Sequence, residues 1–154
     1  MLLTIEYSDI NNLNEIYNLL KLQQDDLLLK RILDKLNLIL SISELTPDAK
    51  FKELITILGM MYLQDEEYQL TKKFSNRISR IFEIYYKENY EKYNDKLLNY
   101  YKIRSKIEHE GTSYRDFEKN DNKLLLDLLD ITRKSILLYL KQPIIFTESN
   151  ICNI

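Results

Sequence analysis

The sequence predicts an all-α fold, a single compact bundle of about five to six helices, and three observations carry that expectation. The chain has only 2 glycines and 2 prolines among 154 residues, so turn signals are scarce and the elements between them must be long. Apolar residues recur at three- and four-residue intervals instead of alternating, which is the period of a helix and not of a strand. Hydrophobic residues make up 45% and charged residues 30%, a balance that fits one core, since a chain of this length buries roughly two-thirds of its unfolded surface.

The elements follow in chain order. A first helix starts after Ser8 and Asp9, which can cap it, and carries Leu13, Ile16, Tyr17 and Leu20 at helical spacing. A second runs from about Asp25 to Ser41 with Leu29, Ile32, Leu33, Leu36 and Leu40 as its apolar stripe. The sharpest boundary is "LTPDAK": Thr46 can cap, Pro47 suits the first helical position, and Asp48 meets the positive end of the helix dipole. The third helix begins there, turns Phe51, Leu54, Ile55, Leu58, Met61 and Tyr62 inward, and ends near "QDEE". A fourth, about Tyr68 to Tyr86, carries Leu70, Phe74, Ile78, Ile81 and Tyr85. The polar stretch "KENYEKYND" reads as the connection to a fifth helix, about Asp95 to Glu110, which Gly111 stops. A sixth, about Lys123 to Lys141, ends before Pro143, and the tail "IIFTESNICNI" is β-branched and reads as extended, docked or mobile. The chain divides into an N-terminal helical segment over 1–24, a helical domain over 25–142 and a C-terminal tail over 143–154.

Composition excludes several classes of function. No apolar run approaches the roughly 20 residues of a membrane span, and no basic leader with an apolar core is visible, so a cytoplasmic protein without membrane partners is expected. The single Cys152 has no disulfide partner, and one histidine with one cysteine gives no metal-ligand set, so neither metal nor cofactor is expected. A net charge of −2 supplies no global attraction to nucleic acid; any such binding must use a local patch.

The one candidate for chemistry is "YYKIRSKIEHEG", residues 100–111, which holds the only histidine. An ideal helix sets Arg104 and His109 about 140° apart, so they converge on a substrate only through distortion at Gly111 or across a symmetric interface between two copies. RNA carries its own nucleophile, the 2′-hydroxyl, and its cleavage needs a proton acceptor, a proton donor and positive charge at the phosphate. Histidine and arginine supply these without a metal. The plain alternative is a helix end in which Arg104 pairs with Glu108 at i,i+4 and His109 favours the C-terminal dipole. Lys72, Lys73, Arg77 and Arg80 recur at helical spacing and read as a solvated face that could also follow an RNA backbone. Tyr86, Tyr90, Tyr93, Tyr100 and Tyr101 read as core and interface packing, with base stacking as the alternative.

Together, "LLNYYKIRSKIEHEG" and the upstream "KFKELITILGMMYLQDEEYQLTKKFSNRISRIFE" resemble the HEPN superfamily, specifically its Apea-like branch. The likeness spans roughly residues 25–140: an apolar helix, a short acidic loop, a helix mixing Thr, Arg and apolar residues, then an aromatic run leading into Arg-x4-His. It implies a helical bundle, commonly dimeric, and a metal-independent endoribonuclease of the kind that serves as a toxin or antiviral defence effector with an antitoxin or regulatory partner. By that resemblance Arg104 holds the phosphate, His109 is general acid or base, and Ser105 orients one of them. Lys102, Lys106 and Tyr101 are then the nearby candidates for RNA contacts. A non-catalytic module of the same family, binding RNA, nucleotide or a partner protein, is the alternative.

Overall fold

The computed structural model describes residues 7–42, 45–64, 68–117 and 123–151. Within them the chain forms seven helices and no strand: α1 (Tyr7–Leu22), α2 (Leu27–Ser41), α3 (Pro47–Tyr62), α4 (Leu70–Tyr86), α5 (Tyr90–His109), α6 (Lys123–Lys141) and the short α7 (Glu148–Ile151), with 3-10 turns at Tyr114–Asp116 and Pro143–Phe146. The six long helices make a bundle, and among the described residues no helix is long and apolar enough to cross a membrane. Cys152 lies outside the described residues.

α3 is the hub because its sequence is apolar on several sides. Phe51, Leu54, Ile55, Ile57, Leu58, Met61 and Tyr62 are all buried, and the helix packs against α2, α4, α5 and α6. Its start is the one the sequence announces: Thr46 Oγ1 accepts from Ala49 N at 3.3 Å and Pro47 occupies the first turn. α2 starts at an equally explicit cap, Asp26 Oδ1 accepting from Leu29 N at 2.9 Å. Asp26 also receives the Tyr139 hydroxyl at 2.7 Å, which ties the start of α2 to α6.

Several expectations are corrected. α5 begins at Tyr90, not near Asp95, because Asn89 caps it through Lys92 N at 2.9 Å. The link from α4 is only Lys87, Glu88 and Asn89, and a connection that short makes α4 and α5 antiparallel neighbours. Theirs is the most extensive helix pairing in the fold. α1 begins at Tyr7, so Ser8 and Asp9 lie inside the helix. Leu13 and Tyr17 are 62% and 65% exposed, and α1 leans on the core through Ile16, Leu19 and Leu20. On α2 the inward residue of the last turns is Ile39, while Leu40 faces out; on α4 Phe82 is inside and Tyr85 is exposed. In each case the chain offers adjacent apolar residues, and the neighbouring helix selects one. The tail is not extended: its 3-10 turn and α7 bury Ile145, Phe146 and Ile151, with Phe146 packed on Tyr62 and Tyr139 at 5.3 and 5.2 Å between ring centroids.

The core holds phenols that resist ionisation. Burial raises the Tyr62 hydroxyl well above the ordinary value of 10.0, partly offset by its hydrogen bond to Ser135 at 2.9 Å. Tyr93 and Tyr139 are raised by burial and then by the carboxylates of Glu88 and Asp26 respectively. In the unfolded chain these groups lose their protons near pH 10, whereas in the fold they keep them. Above that pH the folded state binds more protons, so stability is intact below pH 10 and falls as pH rises beyond it. Thermal melts from about pH 8 to about pH 11 should show a flat region and then a steepening loss, and Tyr62→Phe should reduce the alkaline slope.

Candidate functional site

The placement of the Arg-x4-His residues follows from which side of α5 is apolar. Tyr93, Leu97, Tyr100, Ile103 and Ile107 are buried and define the inward direction. At 100° per residue, Arg104 lies only about 40° from that direction, and His109 about 180° from it. The exposures agree: the Arg104 side chain is 27% exposed, and His109 is exposed at the last residue of the helix. Within one chain the two therefore occupy different faces.

His109 shares its face with Lys102 and Lys106, both exposed, and with the half-buried Ser105. These four residues fall within an arc of about 100° on the outer side of the last two turns. Among the described residues the side chains of His109 and Ser105 have no hydrogen-bond or ion-pair partner, so Ser105 orients neither Arg104 nor His109 within a single chain. Lys106 Nζ lies 5.7 Å from the centre of the Phe117 ring, and Tyr101 is half-buried against Phe74, 5.2 Å between ring centroids.

The end of α5 is held firmly despite its exposure. Glu110 N donates to Lys106 O at 2.9 Å, and Gly111 turns the chain at φ 66°, a left-handed conformation that favours glycine. The next residues fold into a 3-10 turn with a capping box, Ser113 N donating to Asp116 Oδ2 at 2.8 Å. Asp48, at the start of α3, accepts from Tyr114 N at 2.5 Å and from Ser113 Oγ at 3.4 Å. The Tyr114 ring is buried 5.4 Å from that of Phe51. Asp48 thus does more than complement a helix dipole: it clasps the loop that follows His109.

Arg104 is engaged on its own side. It pairs with Glu108 at 3.0 Å and its guanidinium lies 5.7 Å from the centre of the Tyr101 ring. It borders a cleft of about 300 Å³ between α3, α5 and the start of α4, lined in part by Ile55, Thr56, Gly59 and Gln64. Arg104 Nε is buried and has no hydrogen-bond partner among the described residues. Sequence reasoning missed the cleft, although a glycine inside the apolar pattern of α3 was a signal for it.

The basic stripe on α4 is not a continuous surface. Arg77 is 4% exposed and donates to Tyr62 O at 2.9 Å, which satisfies a carbonyl at the end of α3. Arg80 pairs with Glu83 at 2.6 Å and sits 4.9 Å from the Tyr90 ring centre. Arg77→Met should keep the packing of the side-chain stem but strand that carbonyl, costing about 1–3 kcal/mol in urea unfolding. The tyrosines before the motif pack and hydrogen-bond within the chain: Tyr93 and Tyr100 are buried, Tyr100 donates to Asp127 at 2.7 Å, and Tyr86 donates to Lys134 O at 2.7 Å.

Comparison of the chain with models of protein families, with characterised proteins and with solved structures finds no match.

Proposed function

We propose that the chain is a metal-independent endoribonuclease of HEPN type that cleaves single-stranded RNA as a two-fold dimer. The observation that carries the reading is His109: the only imidazole in the chain, exposed, without a side-chain partner among the described residues, and flanked on its face by Lys102 and Lys106. An unengaged histidine beside two cations suits proton transfer at a polyanion. Because Arg104 faces a different side of α5, the complete site needs a second copy, with one protomer's Arg104 approaching the partner's His109.

In this reading one His109, neutral, takes the proton of the 2′-hydroxyl as its oxygen attacks the adjacent phosphorus. The P–O5′ bond breaks, and the partner's His109, protonated, gives its proton to the leaving 5′-oxygen. The products are a 2′,3′-cyclic phosphate and a 5′-hydroxyl, and the two imidazoles exchange roles. Arg104 leaves Glu108 to stabilise the phosphorane, Lys102 and Lys106 hold neighbouring phosphates, and Ser105 orients one of the catalytic pair. A protein of this kind fits the role of a toxin or defence effector, restrained by an antitoxin or regulatory protein. The Arg104–Glu108 pair also favours a second reading, a non-catalytic module binding RNA, nucleotide or a partner protein, since that pair leaves the guanidinium neutralised.

The test uses the purified protein and a single-stranded RNA in EDTA. Cleavage leaving a 2′,3′-cyclic phosphate, abolished by a 2′-deoxy nucleotide at the cut site, together with a dimer in light scattering, is the expected result. An absolute metal requirement, retained cutting of the deoxy substrate, or a monomer at tens of micromolar overturns it.

A further inference from the structure

Gly59 has no backbone or packing reason to be glycine. It lies in the last turn of α3, its carbonyl accepting from Leu63 N at 2.9 Å, and among the described residues a Cβ placed on it would meet only Leu63 Cδ1, at 3.9 Å. The room a side chain would take belongs to the cleft beside Arg104. Two further features sit on the same cleft or at its edge. Arg104 Nε is a buried donor with no acceptor among the described residues, and Gln64 and Gln69 hold φ values of 46° and 55°, conformations that residues with side chains rarely adopt. Buried donors left unpaired and strained backbone concentrate where a ligand completes the arrangement.

The chemistry of the cleft narrows the ligand. Its volume, about 300 Å³, lies at the small end of ligand sites and suits a single ring system. Ile55, Leu63 and Leu70 give it apolar walls, while Thr56 and Gln64 supply polar atoms. The Gln64 amide nitrogen is already donated to Phe146 O, which leaves its carbonyl oxygen to accept. A flat body with donors on one edge and an anion attached matches this set: apolar walls for the ring, Gln64 for the edge, Arg104 for the charge.

We infer that this cleft is the pocket for one unpaired nucleobase, held beside a phosphate that Arg104 binds. The inference rests on the reading of Arg104 as the phosphate-holding residue and adds a base-binding site to it. Filling the cleft from Gly59 then removes base recognition without touching Arg104, His109 or the core.

The experiment measures binding of nucleoside 3′-monophosphates, ribose 5-phosphate and inorganic phosphate to the parent, Gly59→Ala and Gly59→Leu, with melting curves on the same samples. For the parent and Gly59→Ala, at least one nucleotide should bind about tenfold or more tighter than ribose 5-phosphate. In Gly59→Leu that gap should close to about twofold or less while phosphate binding and melting are retained. If Gly59→Leu does not fold, Thr56→Met blocks the same space from the neighbouring turn. No gap in the parent, or a gap that persists in a folded, blocked variant, overturns the pocket. The nuclease reading is scored separately: a parent that cuts RNA yet shows no gap loses only the pocket, and a Gly59-dependent gap in a protein that cuts nothing loses only the catalysis.

Discussion

His109→Ala is expected to fold, dimerise and melt like the parent while its rate of RNA cleavage falls by about a hundredfold or more. Two independent facts set the two halves of that result. The side chain projects away from the buried face of α5 and has no hydrogen-bond or ion-pair partner among the described residues, and substitutions of that kind usually change stability by about 0.5 kcal/mol or less. Removing a general acid or base, in contrast, costs on the order of a hundredfold to ten-thousandfold in rate. Cleavage of a labelled RNA and thermal melting on one preparation decide the matter. An active His109→Ala protein removes the catalytic reading, and an unfolded one makes the histidine a structural residue.

Phe51→Ala should have the opposite signature, a large loss of stability at a residue with no part in the chemistry. Phe51 is fully buried where α3, α5 and the loop after α5 meet, its ring 5.9 Å from Tyr100 and 5.4 Å from Tyr114. Both partners continue into α6, since the Tyr100 hydroxyl donates to Asp127 and the Tyr114 hydroxyl accepts from Leu125 N. Truncating such a phenylalanine costs about 3–5 kcal/mol, a large part of the roughly 5–15 kcal/mol that holds a domain together. For a chain of this size that lowers the melting temperature by roughly 10 °C. Urea unfolding should show a lower midpoint at an unchanged slope. Activity at low temperature should fall only as far as the folded fraction does, which separates this variant from His109→Ala.

Residues differ in whether the signal they carry is local or depends on the rest of the fold. Thr46, Pro47 and Asp48 announce α3 because capping and proline geometry are local and independent of the rest of the fold. Asn89 carries the same kind of signal, but it stands inside a charged stretch whose polarity reads as a loop, and Lys87 turns left-handed at φ 58° without a glycine to mark it. The exposed faces of α1 and α2 were illegible for another reason. With leucines at 38 and 40 on either side of Ile39, periodicity gives a stripe, and only the packing of α2 on α3 chooses its centre. The burial of Arg77 depends on the end of α3 lying beside α4, which no spacing encodes. At the site, the angle between Arg104 and His109 was legible from helix geometry alone. Which of them faces the core was not, because that required knowing that Ile103 and Ile107 are buried.

The clasp of Asp48 on Ser113 and Tyr114 also bears on the order in which the protein is made. These contacts join residues 65 and 66 positions apart, and the Tyr114 hydroxyl is met in turn by Leu125 N at 2.9 Å. The hairpin of α4 and α5 is local and can form as soon as it leaves the ribosome, but closing the longer loop to α3 comes with a greater entropic cost. During vectorial synthesis the end of α5 therefore stays unanchored until the loop after Gly111 has emerged, and the anchor is locked only when α6 follows. A chain stalled between residues 109 and 112 carries the whole Arg-x4-His sequence on a helix whose last turn lacks the clasp of Asp48.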